Sequence, residues 1–277
     1  MTAIVSAVIF SRDRAMQLDA TINSWEKCVF ARGDYVWKKT VIYKATTERH
    51  RNQYRQLMSE YPSWNFFHEG IFTEDLRNAF SGSTFWFPMV DDCVFLAQVD
   101  IGPALQQLTL NGRLMGLSLR LGRNTVHCYP TDKPQRVPDF SSQLIGGMWT
   151  YGWGGQDGDF GYPMEVSSSV YRTSDVHDAI YGGGYSQPNE LESSLYQGTV
   201  KTRPEMLCFD RSVATCVPTN IVNERCPNNR AIAGGKTAEE LADEFDRGYR
   251  IDCSSFYGRI SNACHMDWPL QLVNKRG

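Results

Sequence analysis

FWFPMVDDCVF, residues 85–95, is an apolar run that ends in two adjacent carboxylates, Asp91 and Asp92, before a second short apolar group resumes. Its length and continuity read as one buried strand that delivers both side chains at its end. Two carboxylates so placed repel each other unless a cation sits between or beside them, and carboxylate oxygens suit Mg²⁺ or Mn²⁺. A metal site is the first expectation. The alternative is a pair of aspartates that cap a turn through backbone hydrogen bonds.

Outward from this strand, the N-terminal side alternates. IVSAVIF (4–10) is followed by a helical stretch from Met16 to Cys28, TVIYKA (40–45) by a helix from Glu48 to Tyr61, and WNFFHE (64–69) by a helix from Thr73 to Phe80. This rhythm predicts a largely parallel sheet with crossover helices. Ligands of such sheets bind beyond the carboxyl ends of the strands, so SRDR (11–14), ATTE (45–48) and the Asp pair belong to one surface. After Phe95 the rhythm changes to a helix from Ile101 to Asn111, the strand-like LMGLSLRLG (114–122), and a stretch rich in Gly, Pro, Trp and Tyr from Tyr129 to Pro163. That stretch reads as a pocket wall or acceptor platform, or else as a plain structural loop. A strand in MEVSSSVYR (164–172), a short helix from Thr173 to Ile180, and a turn in GGGYSQPNELESSLYQ (182–197) leading into another helix come next. A strand near MLCFDRSVATCV (206–217) and an amphipathic helix from Thr237 to Gly248 follow, with no internal repeat.

The 277 residues suit one large α/β domain with an appendage. A hydrophobic fraction of 42% against 21% charged residues marks a packed globule rather than a disordered chain. The net charge of -3, without any Lys/Arg-dense run, argues against nucleic acid as a partner. The run 4–10 is too short to span a membrane and has no basic leader, and no stretch approaches the ~18 to 20 apolar residues of a spanning helix. The expectation is a cytoplasmic protein, at most peripheral to a membrane. Eight cysteines, at 28, 93, 128, 208, 216, 226, 253 and 264, form no CxxC pair and no paired zinc spacing, and read as reduced, mostly buried thiols.

The segment EDLRNAFSGSTFWFPMVDD (74–92) resembles the part of GT-A glycosyltransferases, family 2 included, where a helix carrying Arg-Asn leads through a small-residue turn into a strand ending in an Asp-rich metal motif. VIFSRDRAMQLDATINSW (8–25) is similar to that superfamily's opening strand, polar donor-binding loop and first helix. The likeness is densest from Ile4 to Phe95 and continues more loosely through GYPMEVSSSVYR, PNELE and NACHMDW. It implies a GT-A type, Rossmann-like, mostly parallel sheet flanked by helices, as a single domain over 1–277 with a C-terminal extension. Residues 1–100 would bind the nucleotide sugar and 101–277 the acceptor. It implies a metal-dependent transferase that takes sugar from a UDP, GDP or dTDP donor to a hydroxyl of a glycan or glycoconjugate, with Mn²⁺ or Mg²⁺, as in polysaccharide biosynthesis. The chain departs from the family's Asp-x-Asp form, since Val90, Asp91, Asp92 and Cys93 carry no third carboxylate. Which aspartate meets the metal and which the ribose stays open, and the three serines of MEVSSSVYR stand where related enzymes place acidic or histidine groups.

The resemblance makes Asp91, Asp92 and His265 the expected metal ligands, with Asp267 orienting the imidazole. A histidine without special role is the alternative; His50, His68, His127 and His177 have no motif around them. Ser11, Arg12, Asp13, Arg14, Arg77 and Asp91 are the expected donor-binding residues. The arginines either address diphosphate oxygens or serve solubility, and Asp13 either accepts from a base or ribose hydroxyl or stabilises a turn. Glu192 resembles the base at the helix start of inverting members, where a carboxylate takes the acceptor's proton. Its spacing from Asn189 equally fits a capping box, and Asp159 and Glu190 are the fallback bases. Two rivals remain: a nucleotidyltransferase making nucleotide sugars, whose Gly-rich loop SRDRAM lacks, and a noncatalytic carbohydrate-binding protein, which GMWTYGWGG (147–155) would suit.

Overall fold

A computed structural model describes residues 2–199, 203–222 and 234–275. Nine strands form the central sheet, in the spatial order Phe140–Leu144, Met148–Gly152, Glu205–Phe209, Leu114–Ser118, Ser169–Arg172, Phe85–Val90, Ala3–Arg12, Tyr35–Lys44 and Asn65–His68. Ala3–Arg12 pairs in parallel with Tyr35–Lys44 on one side and Phe85–Val90 on the other. Ser169–Arg172 inserts antiparallel between Phe85–Val90 and Leu114–Ser118. Glu205–Phe209 then runs parallel to Leu114–Ser118, and a hairpin of the two remaining strands closes that edge. Followed through these pairings, seven of nine strands share one direction, and Ser169–Arg172 and Met148–Gly152 oppose it. The fold class is the mostly parallel α/β sheet that the sequence rhythm and the GT-A resemblance implied.

Side-chain alternation in a strand sends successive residues to opposite faces, and the first strand displays it. Val5, Ala7 and Ile9 join one core cluster, packed with Leu18, Ile22 and Trp25 of the helix Ala15–Cys28 and Tyr54 and Leu57 of the helix Glu48–Glu60. Val8 and Phe10 join the other, packed with Leu76 and Phe80 of Phe72–Phe80, Val176 and Ile180 of Thr173–Gly182, and Leu191 and Leu195 of Pro188–Thr199. Burying each such aliphatic side chain contributes about 1.5 to 3 kcal/mol, so covering both faces holds the strand ends rigidly in register. The amphipathic helix read from Thr237 is Ala238–Asp246, with Thr237 and Glu240 closing a capping box.

One expectation is redrawn. Within the aromatic stretch 129–163, Met148–Gly152 is a strand of the sheet, with Met148 and Tyr151 fully buried, and Trp149 lies under the Arg123 guanidinium at 3.9 Å. Met148 and Tyr151 fill the two core clusters, and Asp159, Tyr162 and Pro163, late in the stretch, line a cleft. All seven described cysteines are free and buried; Cys226 lies outside the described residues. No described helix is long and apolar enough to cross a membrane.

Candidate functional site

The site begins where the sheet's strand order reverses, between Ala3–Arg12 and Phe85–Val90. The register Phe10 opposite Val90 sets Ser11 and Arg12 beside Asp91. Ser11 Oγ donates to Asp91 Oδ2 at 2.8 Å, the Arg12 N–H reaches the same oxygen at 3.3 Å, and Thr21 Oγ1 holds the Asp91 carbonyl at 2.8 Å. Arg14 closes from the other side. Its Nη2 binds Asp91 Oδ1, while Nη1 lies 3.4 Å from Asp92 Oδ2 and 3.3 Å from the Asn220 carbonyl. Asp91 is 1% exposed and both of its oxygens are taken. Burial raises the Asp91 pKa against the opposing pull of Arg14. Burial also lowers that of Arg14, but the two carboxylates outweigh it and hold the guanidinium charged. The cation that paired carboxylates demand is thus supplied within the chain. Asp91 anchors the loop, with Ser11 and Arg12 on one oxygen and Arg14 on the other.

Asp92 differs. Its side chain is 13% exposed, and its carbonyl accepts from the Val217 N–H at 2.8 Å. Cys93–Phe95 pairs with Ala214–Cys216, and Cys216 bridges in turn to His265, which brings the imidazole to the strand end that carries Asp92. Burial and the Arg120 cation push the His265 pKa down to about 3, against the pull of Asp92, so the ring is neutral at physiological pH. Its Nδ1 is buried and finds no partner among the described residues. Asp267, expected to orient this ring, accepts instead from the Tyr129 hydroxyl at 2.5 Å. Among the described residues no three His, Cys, Asp or Glu side chains converge on a metal position. What fits a divalent ion is the pair Asp92 and His265, a neutral imidazole with an orphaned nitrogen beside an accessible carboxylate. Such a pair suits an ion whose other ligands are phosphates and water.

The other donor-loop residues divide. Asp13, at φ 53°, uses both oxygens on Thr46, accepting from its N–H at 2.8 Å and its hydroxyl at 2.9 Å, which is the turn-stabilising role. The Arg12 side chain is half exposed, with Asp13 Oδ2 at 3.8 Å. Arg77 donates to the carbonyls of Ile180 (3.4 Å) and Tyr181 (2.9 Å), near the end of Thr173–Gly182. The carbonyls at a helix C-terminus attract a cation, and this occupies Arg77 away from the aspartates.

A second cluster, which the sequence reading did not single out, centres on Arg120 and Glu165. They are 5% and 7% exposed and form an ion pair of 2.8 Å. Glu165 also accepts from the Ser167 N–H and the Ser169 hydroxyl. Arg120 is the only charge in LMGLSLRLG, and a lone cation in an apolar run is the signal that would have exposed it. Arg120, Glu165, Asp159, Tyr162, Ser169 and Cys264 line one cleft. Against this cluster lies Glu192, whose Oε1 accepts from the Val166 N–H at 2.8 Å. Burial, then nearby Glu165, raise its pKa to about 7 despite that hydrogen bond and Arg120. The capping role falls to Glu190, whose Oε2 accepts from the Ser186 N–H (2.7 Å) and hydroxyl (2.9 Å). Asp159 is tied to Gln135, whose amide donates to Oδ2 at 3.2 Å and accepts from the Asp159 N–H at 2.9 Å; burial raises its pKa too.

No family model matches the chain. It is 22% identical over 234 residues to the bifunctional glycosyltransferase pgtA of Dictyostelium discoideum, covering 74% of this chain and 30% of that protein's length. Among solved structures it is similar to S. aureus TarS, at 11% identity and a TM-score of 0.45, over 78% of this chain and 37% of that one. It is also similar to the mannosyltransferase PcManGT from Pyrobaculum calidifontis, at 9% identity and a TM-score of 0.43, over 79% and 58%. The curated relative is of the kind that the sequence motifs resemble.

Proposed function

We propose that this chain is a nucleotide-sugar glycosyltransferase that moves a sugar, with inversion, to a hydroxyl of a glycan or glycoconjugate. The observation that carries the reading is Glu192, a partly buried carboxyl held by the Val166 N–H against the cleft of Arg120 and Glu165, with a pKa raised to about 7, while Glu190 takes the capping role. A base for a hydroxyl acceptor works best with a pKa near the operating pH. Glu192 Oε2 would take the acceptor proton as that oxygen attacks the anomeric carbon and the bond to the nucleoside diphosphate breaks, while the Val166 N–H fixes the carboxylate through Oε1. Arg120, paired to Glu165, sits between this cleft and His265 and would hold the two halves in one field.

Asp92 and His265 would hold Mn²⁺ or Mg²⁺, which when bound supplies positive charge against the leaving diphosphate. Asp91 and Arg14 would shape the floor of a donor pocket for a UDP, GDP or dTDP sugar, with Ser11 and the half-exposed Arg12 at its rim. Residues 1–100 would thus serve the donor and 101–277 the acceptor. Buried, free thiols suit a cytoplasmic setting. The test is release of nucleoside diphosphate from a panel of UDP, GDP and dTDP sugars with Mn²⁺, repeated in chelator. Turnover of one donor class that chelator removes is expected; no turnover with any would overturn the reading.

A further inference from the structure

Tyr162 and Tyr196 are 39% and 38% exposed and stacked on each other, with ring centroids 5.5 Å apart and planes 16° from parallel. Tyr162 lines the cleft of Arg120 and Glu165. Tyr196 stands on Pro188–Thr199 one turn beyond Glu192, and residues four apart share a helix face. An aromatic pair therefore borders the cleft on the side where Glu192 lies. Arg120 lines the same cleft at 5% exposure, and its Nε has no partner among the described residues.

We infer that Tyr162 and Tyr196 seat the ring of a neutral hexopyranose acceptor, whose hydroxyls are met by Arg120 and the surrounding carboxylates; the inference rests on the glycosyltransferase reading. The negative face of an aromatic ring attracts the C–H face of a pyranose, and one polar edge of the sugar then turns into the cleft. Charge selects the class of acceptor. Asp159 and Glu165 line the cleft with one cation, Arg120, which is already paired to Glu165. A phosphate or carboxylate on the acceptor would find no unpaired cation there, whereas sugar hydroxyls both donate to and accept from carboxyl groups in either protonation state. A neutral sugar is favoured over an anionic one for that reason.

The test is a saturation-transfer NMR titration of the full chain with methyl glucoside, galactoside and mannoside, and with glucose 6-phosphate and methyl glucuronide. It is run with and without a nucleoside diphosphate and Mn²⁺. At least one methyl hexopyranoside is expected to bind, with the anionic sugars at least tenfold weaker. Tyr196→Ala and Tyr162→Ala should each weaken that binding about tenfold, while Tyr196→Phe retains it. Both side chains are more than a third exposed, so the folds should survive, which circular dichroism checks. Parental affinity in both alanine variants, equal or tighter binding of the anionic sugars, or no hexopyranoside bound at all overturns the inference. Nucleotide binding read on the same samples separates the two claims. Its presence beside any of those results leaves the transferase reading intact, and its absence in the parent counts against that reading.

Discussion

Replacing Glu192 by glutamine separates two consequences of one partly buried carboxyl group. Burial and Glu165 raise its pKa from 4.5 to about 7, opposed by the Val166 N–H and Arg120, with Tyr162 also nearby. Because the folded pKa lies above the unfolded one, the group's stabilising contribution is complete below about pH 4.5 and is lost as pH rises through about 7. A rise of roughly 2.5 units at ~1.36 kcal/mol each is about 3 kcal/mol of stability given up by pH 8.5. Glutamine keeps the shape and does not ionise. Glu192→Gln should therefore match the parent near pH 4 and exceed it by up to about 3 kcal/mol at pH 8.5, a gain of several degrees in Tm at ~2 to 4 °C per kcal/mol. The same variant should lose on the order of 10² to 10⁴ in turnover, because the amide accepts no proton. In the parent, log(kcat/KM) should rise with pH to a bend near 7 and then level. Thermal melts at the two pH values, paired with turnover, decide the matter. A variant no more stable than the parent at pH 8.5 would refute the raised pKa of Glu192, and near-parental turnover would move the base to Asp159, since Glu190 caps its helix.

The two aspartates should behave differently. Asp92→Ala should abolish transfer with the fold intact, whereas Asp91→Ala leaves Arg14 buried without its main partner and should cost roughly 3 to 5 kcal/mol in denaturant melts; equal melts would overturn the anchor role of Asp91. Arg14→Gln removes the resident cation and should tighten Mn²⁺ binding about tenfold by electron paramagnetic resonance; unchanged or weaker binding would mean that Arg14 does not compete with the ion. His265→Ala should raise the cation concentration needed for half-maximal rate, since water replaces one ligand, and an unchanged requirement would remove His265 from the site.

Much of the fold was legible because burial left periodic traces. The alternation from Ile4 to Phe95 gave the parallel half, and the helices fell within a residue or two of their expected ends. The hairpin at Met148 was hidden because its aromatics suit a core strand and a binding platform equally. In the site, the sequence pointed to the carboxylates but not to their partners. That Asp91 and Asp92 share Arg14 depends on the turn after the first strand, where Asp13 takes a left-handed conformation, and no spacing rule reports it. Glu192 and Glu190 were indistinguishable as cap and base, because what separates them is their partners, the Val166 N–H far in the chain for Glu192 and Ser186 nearby for Glu190.

The central claim is a donor site for a nucleoside diphosphate bridged by a divalent ion, and thermal unfolding tests it directly. The diphosphate alone meets the negative charge of Asp92, and the ion alone meets Asp92 and His265 without its phosphate ligands, so each should bind weakly. Together they should stabilise the chain by about 2.7 kcal/mol at ~100 times the dissociation constant, a shift of roughly 5 to 10 °C, and Asp92→Ala should erase it. If UDP, GDP and dTDP all leave the midpoint unchanged with either Mn²⁺ or Mg²⁺, the site does not bind a nucleotide-sugar donor as proposed.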